Sequence, residues 1–184
     1  MTHDHDFDPD DNFAIHGDAD APELDEESAQ EALVWQWLLR VNPGDEDAAL
    51  QQFSAWQEAL ADGAGDDTDP LAVLRDVTAW KSSFAIDDRD PGSLVDAVVE
   101  LAARWNLHLD WGTEDPTDAG FLAASHVDSL VAIAFDRLRE HGYTLWTQDT
   151  GTDTDAGWIS RREDDDAMRM LASALAIDLR MGAG

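Results

Sequence analysis

Near residue 107 the spacing of apolar residues changes from the three-to-four-residue period of a helix to the two-residue period of a strand. This change limits the chain to a helical stretch followed by a small sheet with helices of its own. Upstream, Asp25 is placed to cap a helix carrying Ala29, Leu33, Trp37 and Val41, and Asn42-Pro43-Gly44 stops it. Ala49, Phe53, Trp56 and Leu60 mark a second helix, which ends in a loop through Asp62 to Asp67. Asp69-Pro70 supplies a cap and a first helical residue for a third helix with Val73, Leu74, Val77 and Trp80. Phe84 and Ile86 sit in a short extended stretch. Asp90-Pro91-Gly92-Ser93 then opens a helix that carries Leu94, Val98, Leu101, Ala102 and Trp105 on one face.

Downstream, Leu107, Leu109 and Trp111 alternate with His108 and Asp110, the pattern of a half-buried strand. A helix with Val127, Leu130, Val131, Ala134 and Leu138 follows and closes at Gly142. Residues 143–148 and 156–161 read as two strands, and the Asp-, Gly- and Thr-rich stretch Asp149 to Asp155 reads as their hairpin connection. Asp164 is placed to cap a last helix with Met168, Leu171, Ala172 and Leu175, and Ile177 to Arg180 forms the last strand. The order β-α-β-β-α-β predicts an α+β fold built on a ferredoxin-like unit. The N-terminal helices, which carry several of the eight Trp residues, must pack on that unit to take their apolar faces out of water. Three segments are therefore expected: an acidic disordered tail at 1–24, an N-terminal helical part at 25–106, and a ferredoxin-like part at 107–181 that packs with the helices as one domain.

Charge decides which partners fit. The chain has 41 acidic and 11 basic residues among 184, a formal net charge of −30. Such a field repels phosphate backbones and anionic membrane surfaces, and it attracts cations and basic proteins. Nucleic acid and membranes are therefore excluded as expected partners. The absence of cysteine removes thiol nucleophiles, disulfides and Cys-based metal sites. The absence of a basic and apolar leader at Met1 to Asp6, and of any apolar run of spanning length, leads to the expectation of a cytoplasmic protein.

The candidate site is the sheet face turned away from the crossover helices. Strand alternation assigns Leu107, Leu109, Leu145, Ile159, Ile177 and Leu179 to the helix side. It assigns His108, Asp110, Thr144, Trp146, Gln148, Trp158, Asp178 and Arg180 to the other side. His108, Asp110, Trp146, Trp158 and Arg180 form the predicted binding surface, provided that the N-terminal helices leave this face open. If they cover it, the two Trp are core residues. Asp149 to Asp155 carries closely spaced carboxylates, but no register supplies both the glycine and the bidentate glutamate of an EF-hand, so a turn is expected and not a metal site. His3 and His5 belong to the acidic stretch, and His141 sits in the last turn of a helix, where a positive charge complements the dipole. Lys81, the one lysine, is expected to pair with Asp87 or Asp88. No phosphate-binding glycine loop, H-E-x-x-H or G-x-S-x-G is present. No cofactor is expected.

Several segments resemble a bacterial family catalogued as a domain of unknown function, number 6630. They are Asn42-Pro43-Gly44-Asp45, Trp80-Lys81-Ser82, Leu107-His108-Leu109-Asp110-Trp111-Gly112, the run from Arg137 to Trp146, and Asp155-Ala156-Gly157-Trp158. The resemblance covers residues 33 to 180. It implies no activity, substrate or catalytic residue. Asp87-Asp88-Arg89 departs from it, standing where an aromatic residue is expected. A looser likeness, of fold and charge with a short similar stretch around Trp105 to Gly112, is to the B-type ribonuclease E inhibitor. The expected function is a non-enzymatic binding or regulatory role toward a basic protein. The alternatives are a small-molecule-binding or hydrolytic enzyme that uses carboxylates on the outward sheet face, with His108 and Asp110 as the residues to watch, and a structural accessory domain.

Overall fold

The computed structural model describes residues 25–63 and 68–183. The acidic stretch at 1–24, with His3 and His5, and the centre of the loop after the second helix lie outside those residues. Four helices precede or flank the first strand: α1 (Glu26–Val41), α2 (Glu46–Asp62), α3 (Pro70–Thr78) and, after strand β1 (Ser83–Asp87), α4 (Pro91–Ala103). Each starts on an aspartate whose carboxylate accepts an N–H that the helix itself cannot bond: Asp25 from Ser28, Asp45 from Ala48, Asp69 from Leu71 and Asp90 from Ser93. Then follow α5 (Ala119–Ala124), α6 (Val127–Glu140), the hairpin of β2 (Tyr143–Asp149) and β3 (Thr154–Arg161), α7 (Asp165–Ala174) and β4 (Arg180–Met181). A single 3-10 turn at Arg162–Asp164 leads into α7, and Asp164 makes no capping bond with its side chain.

The result is an α+β structure with one four-stranded antiparallel sheet, ordered β1-β3-β2-β4. Two expectations change. The stretch at 107–111 is not a strand. Leu107, Leu109 and Trp111 do turn inward and pack with α4 and α6, while His108 and Asp110 are exposed, but the backbone is unpaired. A period of two shows only that a segment is extended and half-buried; whether a strand partner lies beside it depends on the rest of the fold. The first strand is instead the short stretch around Phe84 and Ile86, which pairs with β3. The sheet thus draws on both sides of position 107.

The exact ferredoxin-like topology is not confirmed, because β4 pairs with β2, on the sheet edge opposite β1. This placement decides which side each helix covers. The connection from β1 to β2 and that from β3 to β4 both step across the sheet in the same direction, but β3 runs opposite to β1. With right-handed crossovers, the intervening helices must then lie on opposite faces. They do. Val127, Leu130, Val131, Ala134 and Leu138 of α6 pack with α4 against Phe84, Ile86, Leu145 and Ile159. Met168, Leu171 and Ala172 of α7 join α1 against Trp146 and Trp158, and α2 and α3 extend that layer. Ile177 and Leu179, expected on the same side as Leu145, belong to this second layer.

A polar network locks the layers together. Arg139 of α6 donates to Thr144 of β2 and to Asp165 of α7, and the Thr144 hydroxyl donates to Asp165. On the other side of α1, the buried Asn42 donates to Gln52 of α2, which also accepts from the Ser82 hydroxyl ahead of β1. Most buried polar groups in proteins are satisfied in this way; the buried indole N–H groups of Trp37, Trp111 and Trp158 are exceptions, having no partner among the described residues.

Candidate functional site

The face expected to bind is closed. Trp146 and Trp158 stand directly opposite each other on β2 and β3 and are only 1% and 2% exposed. The Trp158 ring meets Trp37 of α1 edge-on at 5.4 Å. Trp146 donates its indole N–H to the Ser160 hydroxyl at 2.9 Å, and the Arg169 guanidinium of α7 lies 5.8 Å from its ring centre. Both residues are therefore core, held between α1 and α7, and no aromatic platform is offered to a ligand. Sequence alternation placed them on one face correctly; the helix layer above them was the open question.

The other three predicted site residues lie apart from this pair. His108 and Asp110 sit on the unpaired stretch after α4, which packs with the α4 and α6 layer rather than on the Trp face. The Asp110 carboxylate accepts the Gly112 N–H at 2.8 Å, and its carbonyl accepts from Arg137, so its polar atoms shape a turn. Arg180, on β4, faces Asp178 at 3.0 Å and Asp149 at 3.9 Å. Lys81 makes no ion pair among the described residues; Asp88 faces Arg89 instead, at 3.3 Å.

Arg180 belongs to a different concavity, a notch of about 320 Å³ at the hairpin end of the sheet. Asp149, Asp153 and Asp155 come from the hairpin, Asp88 from the end of β1, and Asp128 from the first turn of α6. The turn between β2 and β3 holds the hairpin carboxylates in place. Asp149 accepts the Gly151 N–H at 2.7 Å, with Gly151 in the left-handed region at φ 76°, and the Thr150 hydroxyl donates to the Thr154 carbonyl at 2.6 Å. The predicted turn is therefore present, but its carboxylates converge with two others that no local pattern connects to it.

Five carboxylates and the Arg180 guanidinium thus line the notch, and at its rim Arg89 pairs with Asp88 at 3.3 Å and Asp153 at 2.9 Å. Asp155 feels this most. Partial burial, together with the negative charges of Asp149 and Asp128, pushes its carboxyl above the ordinary carboxylate range, and Arg180 only partly offsets them. The Arg180 guanidinium is in turn held more firmly charged by its hydrogen bond to Asp178. Among the described residues, no group of three or more His, Asp or Glu is placed to hold a metal ion. The opposite end of the hairpin differs in sign: His141, Arg161 and Arg162 line a separate concavity there with Glu163.

One further residue stands out from its surroundings. Trp80 is 58% exposed in the turn before β1, and its φ is 60°. A bulky side chain in the left-handed region costs on the order of 1–2 kcal/mol relative to the right-handed one. Sequence periodicity placed it on the buried face of α3, which in fact ends at Thr78.

A model of the family described as Domain of unknown function (DUF6630) matches residues 33–182. The chain belongs to the DUF6630 family. The matched span takes in most of α1, the other helices, the whole sheet and every charged residue of the acidic notch. No curated protein and no solved structure matches the chain. Among the described residues, no helix is long and apolar enough to cross a membrane.

Proposed function

We propose that this DUF6630 protein is a non-enzymatic binding protein whose acidic end engages a basic protein partner. The observation that carries the reading is the notch of Asp88, Asp128, Asp149, Asp153 and Asp155 around Arg180. Carboxylates gathered from three separate parts of the chain repel one another, and that repulsion adds to partial burial, the larger cause, in raising the Asp155 carboxyl above its ordinary range. An arginine or lysine side chain from a partner would relieve that repulsion. The same field, added to a net charge of −30, would speed the encounter with a basic surface and disfavour nucleic acid. A cytoplasmic setting and a regulatory role go with this reading. The enzymatic alternative drew on an outward sheet face with His108 and Asp110; α1 and α7 pack on the Trp146 and Trp158 part of that face, while His108 and Asp110 are exposed elsewhere.

The test is a titration with an oligoarginine peptide, followed by amide NMR, at about 50 mM and about 500 mM salt, where the screening length falls from about 14 Å to about 4 Å. Shifts centred on Asp149 to Asp155 that weaken strongly at high salt are the expected result. Binding that ignores salt, or shifts that spare the hairpin, would overturn the proposal.

A further inference from the structure

Strand β1 lies at the edge of the sheet, next to the acidic notch, and its outer side has free hydrogen-bonding groups. Opposed residues in an antiparallel ladder alternate between pairs that exchange both main-chain bonds and pairs that exchange none. The Asp88 N–H donates to the Asp153 carbonyl at 3.0 Å, and the pairs Ile86–Asp155 and Phe84–Gly157 continue that register two and four residues back. Phe84 and Ile86 therefore bond to β3, while Ser83, Ala85 and Asp87 turn their main-chain groups outward. Two of those groups are used locally: the Ser83 carbonyl accepts from Trp80, and the Asp87 carbonyl accepts from Asp90, each at 2.9 Å. The N–H and C=O of Ala85 and the N–H of Asp87 have no partner among the described residues. Ala85 is exposed, and the bridge from Ala79 reaches only the Ser83 end of the strand.

Exposed sheet edges are ordinarily blunted by proline, lysine, a bulge or extreme shortness. The β4 edge is blunted, being two residues long. Strand β1 runs Ser83-Phe84-Ala85-Ile86-Asp87, with neither proline nor lysine. The turns at its two ends shorten the usable edge but leave a distinctive group at each: the exposed Trp80 at one end, and Asp87, Asp88 and Asp90 at the other, where Arg89 offsets part of the charge by pairing with Asp88 and Asp153. Asp153 and Asp155 lie opposite that acidic end, on β3.

We infer that β1 accepts an extended basic segment of a partner protein as an added strand. Ala85 and Asp87 would supply the main-chain bonds, the carboxylates would take arginine or lysine side chains, and Trp80 would cover a cationic or apolar side chain at the far end. A strand of about five residues, near 17 Å, spans these features. The inference rests on the proposed basic partner and adds how that partner is held. The charge of the notch and of the β1 end selects a basic segment over an acidic or neutral one.

The test uses two seven-residue peptides of alternating arginine and valine, one unmodified and one methylated on every backbone nitrogen. They carry the same charge, but only the first can pair as a strand. The unmodified peptide is expected to bind at least about tenfold more tightly, and to slow hydrogen exchange at the Ala85 and Asp87 amides. Ala85→Pro removes only an N–H that has no partner, so it should fold and should reduce the unmodified peptide to the affinity of the methylated one. Equal affinities of the two peptides for the wild-type protein would overturn strand addition and leave the acidic-surface reading standing. If neither peptide bound in a salt-sensitive way, both readings would fall.

Discussion

Gly157 sits in the middle of β3, directly opposite Phe84 of β1, and the two make a sharp test of how tightly the sheet and the α4–α6 layer fit. A Cβ added at Gly157 would lie 2.1 Å from Phe84 Cζ and 2.5 and 2.6 Å from its two Cε atoms. Carbon atoms in contact prefer about 3.5–4.0 Å, so the ring would have to retreat by roughly 1.4 Å or more. Phe84 is 2% exposed and belongs to the cluster that includes Ile86, Leu94 and Ile159, which leaves it no free volume. Overpacking of this kind costs about 1–3 kcal/mol, and the lower unfolded-chain entropy of alanine returns about 0.4–1 kcal/mol. Gly157→Ala should therefore lose about 1.3 kcal/mol net. In a chain of this length that corresponds to a melting point lower by about 3–5 °C. Phe84→Leu removes the three ring atoms that would clash. It should cost about 1–2 kcal/mol alone, yet in its presence Gly157→Ala should become neutral or slightly stabilising. Urea denaturation followed by Trp fluorescence on the four proteins gives the coupling energy, expected near 2 kcal/mol. Additive losses, or a Gly157→Ala protein as stable as wild type, would refute the reasoning.

Three other outcomes are expected. Trp158→Ala should lose about 3–5 kcal/mol in the same assay, because it vacates the space between β3 and Trp37; a loss under about 1 kcal/mol would mean that α1 does not close that face. Asp155→Asn should stabilise the protein at neutral pH, by no more than about 1 kcal/mol once solvent screening is allowed for. A carboxyl whose folded pKa is raised contributes stability below its unfolded value and loses that contribution as pH rises through the folded pKa. The gap between Asp155→Asn and wild type should therefore be smallest in acid and widen toward neutrality, and urea midpoints across that range would show the opposite trend if Asp155 were stabilised by its neighbours. Trp80→Gly should hold or raise stability, by up to about 1 kcal/mol, since it relieves a left-handed backbone at an exposed position; a clear loss would show that the indole packs more than its exposure indicates.

Local chemistry was largely legible where it depended on neighbours in the chain, the missing side-chain cap at Asp164 being an exception. The aspartates at 25, 69 and 90 cap helices because a carboxylate two or three residues ahead of an unbonded N–H reaches it whatever the rest of the fold does, and Asp45 does the same without having been singled out. The hairpin from Tyr143 to Arg161 was legible for the same reason, its turn being built from Asp, Thr and Gly contacts no more than four residues apart. The opposite sides assigned to Trp158 and Ile159 followed from strand alternation alone. The candidate notch was legible only in part. Asp149, Asp153 and Asp155 were seen as a turn, and Arg180 was assigned to a different surface, because the convergence of Asp88 and Asp128 with them is a long-range contact with no local signature.

The amino-acid order determined the acidity, several helix starts, the hairpin and the period of each apolar stripe, all properties of residues close together along the chain. Tertiary structure decided three things that the period of two could not. It left 107–111 extended without a strand partner and gave the edge position to 83–87. It put β4 beside β2, which sent α7 to the face opposite α6. That in turn buried Trp146 and Trp158, and it moved the plausible site from an aromatic sheet face to the carboxylates at the hairpin end. The physical reason is the same in each case. Alternation tells which side of a segment avoids water, but strand pairing and crossover direction tell what covers it, and those depend on where distant segments come to rest.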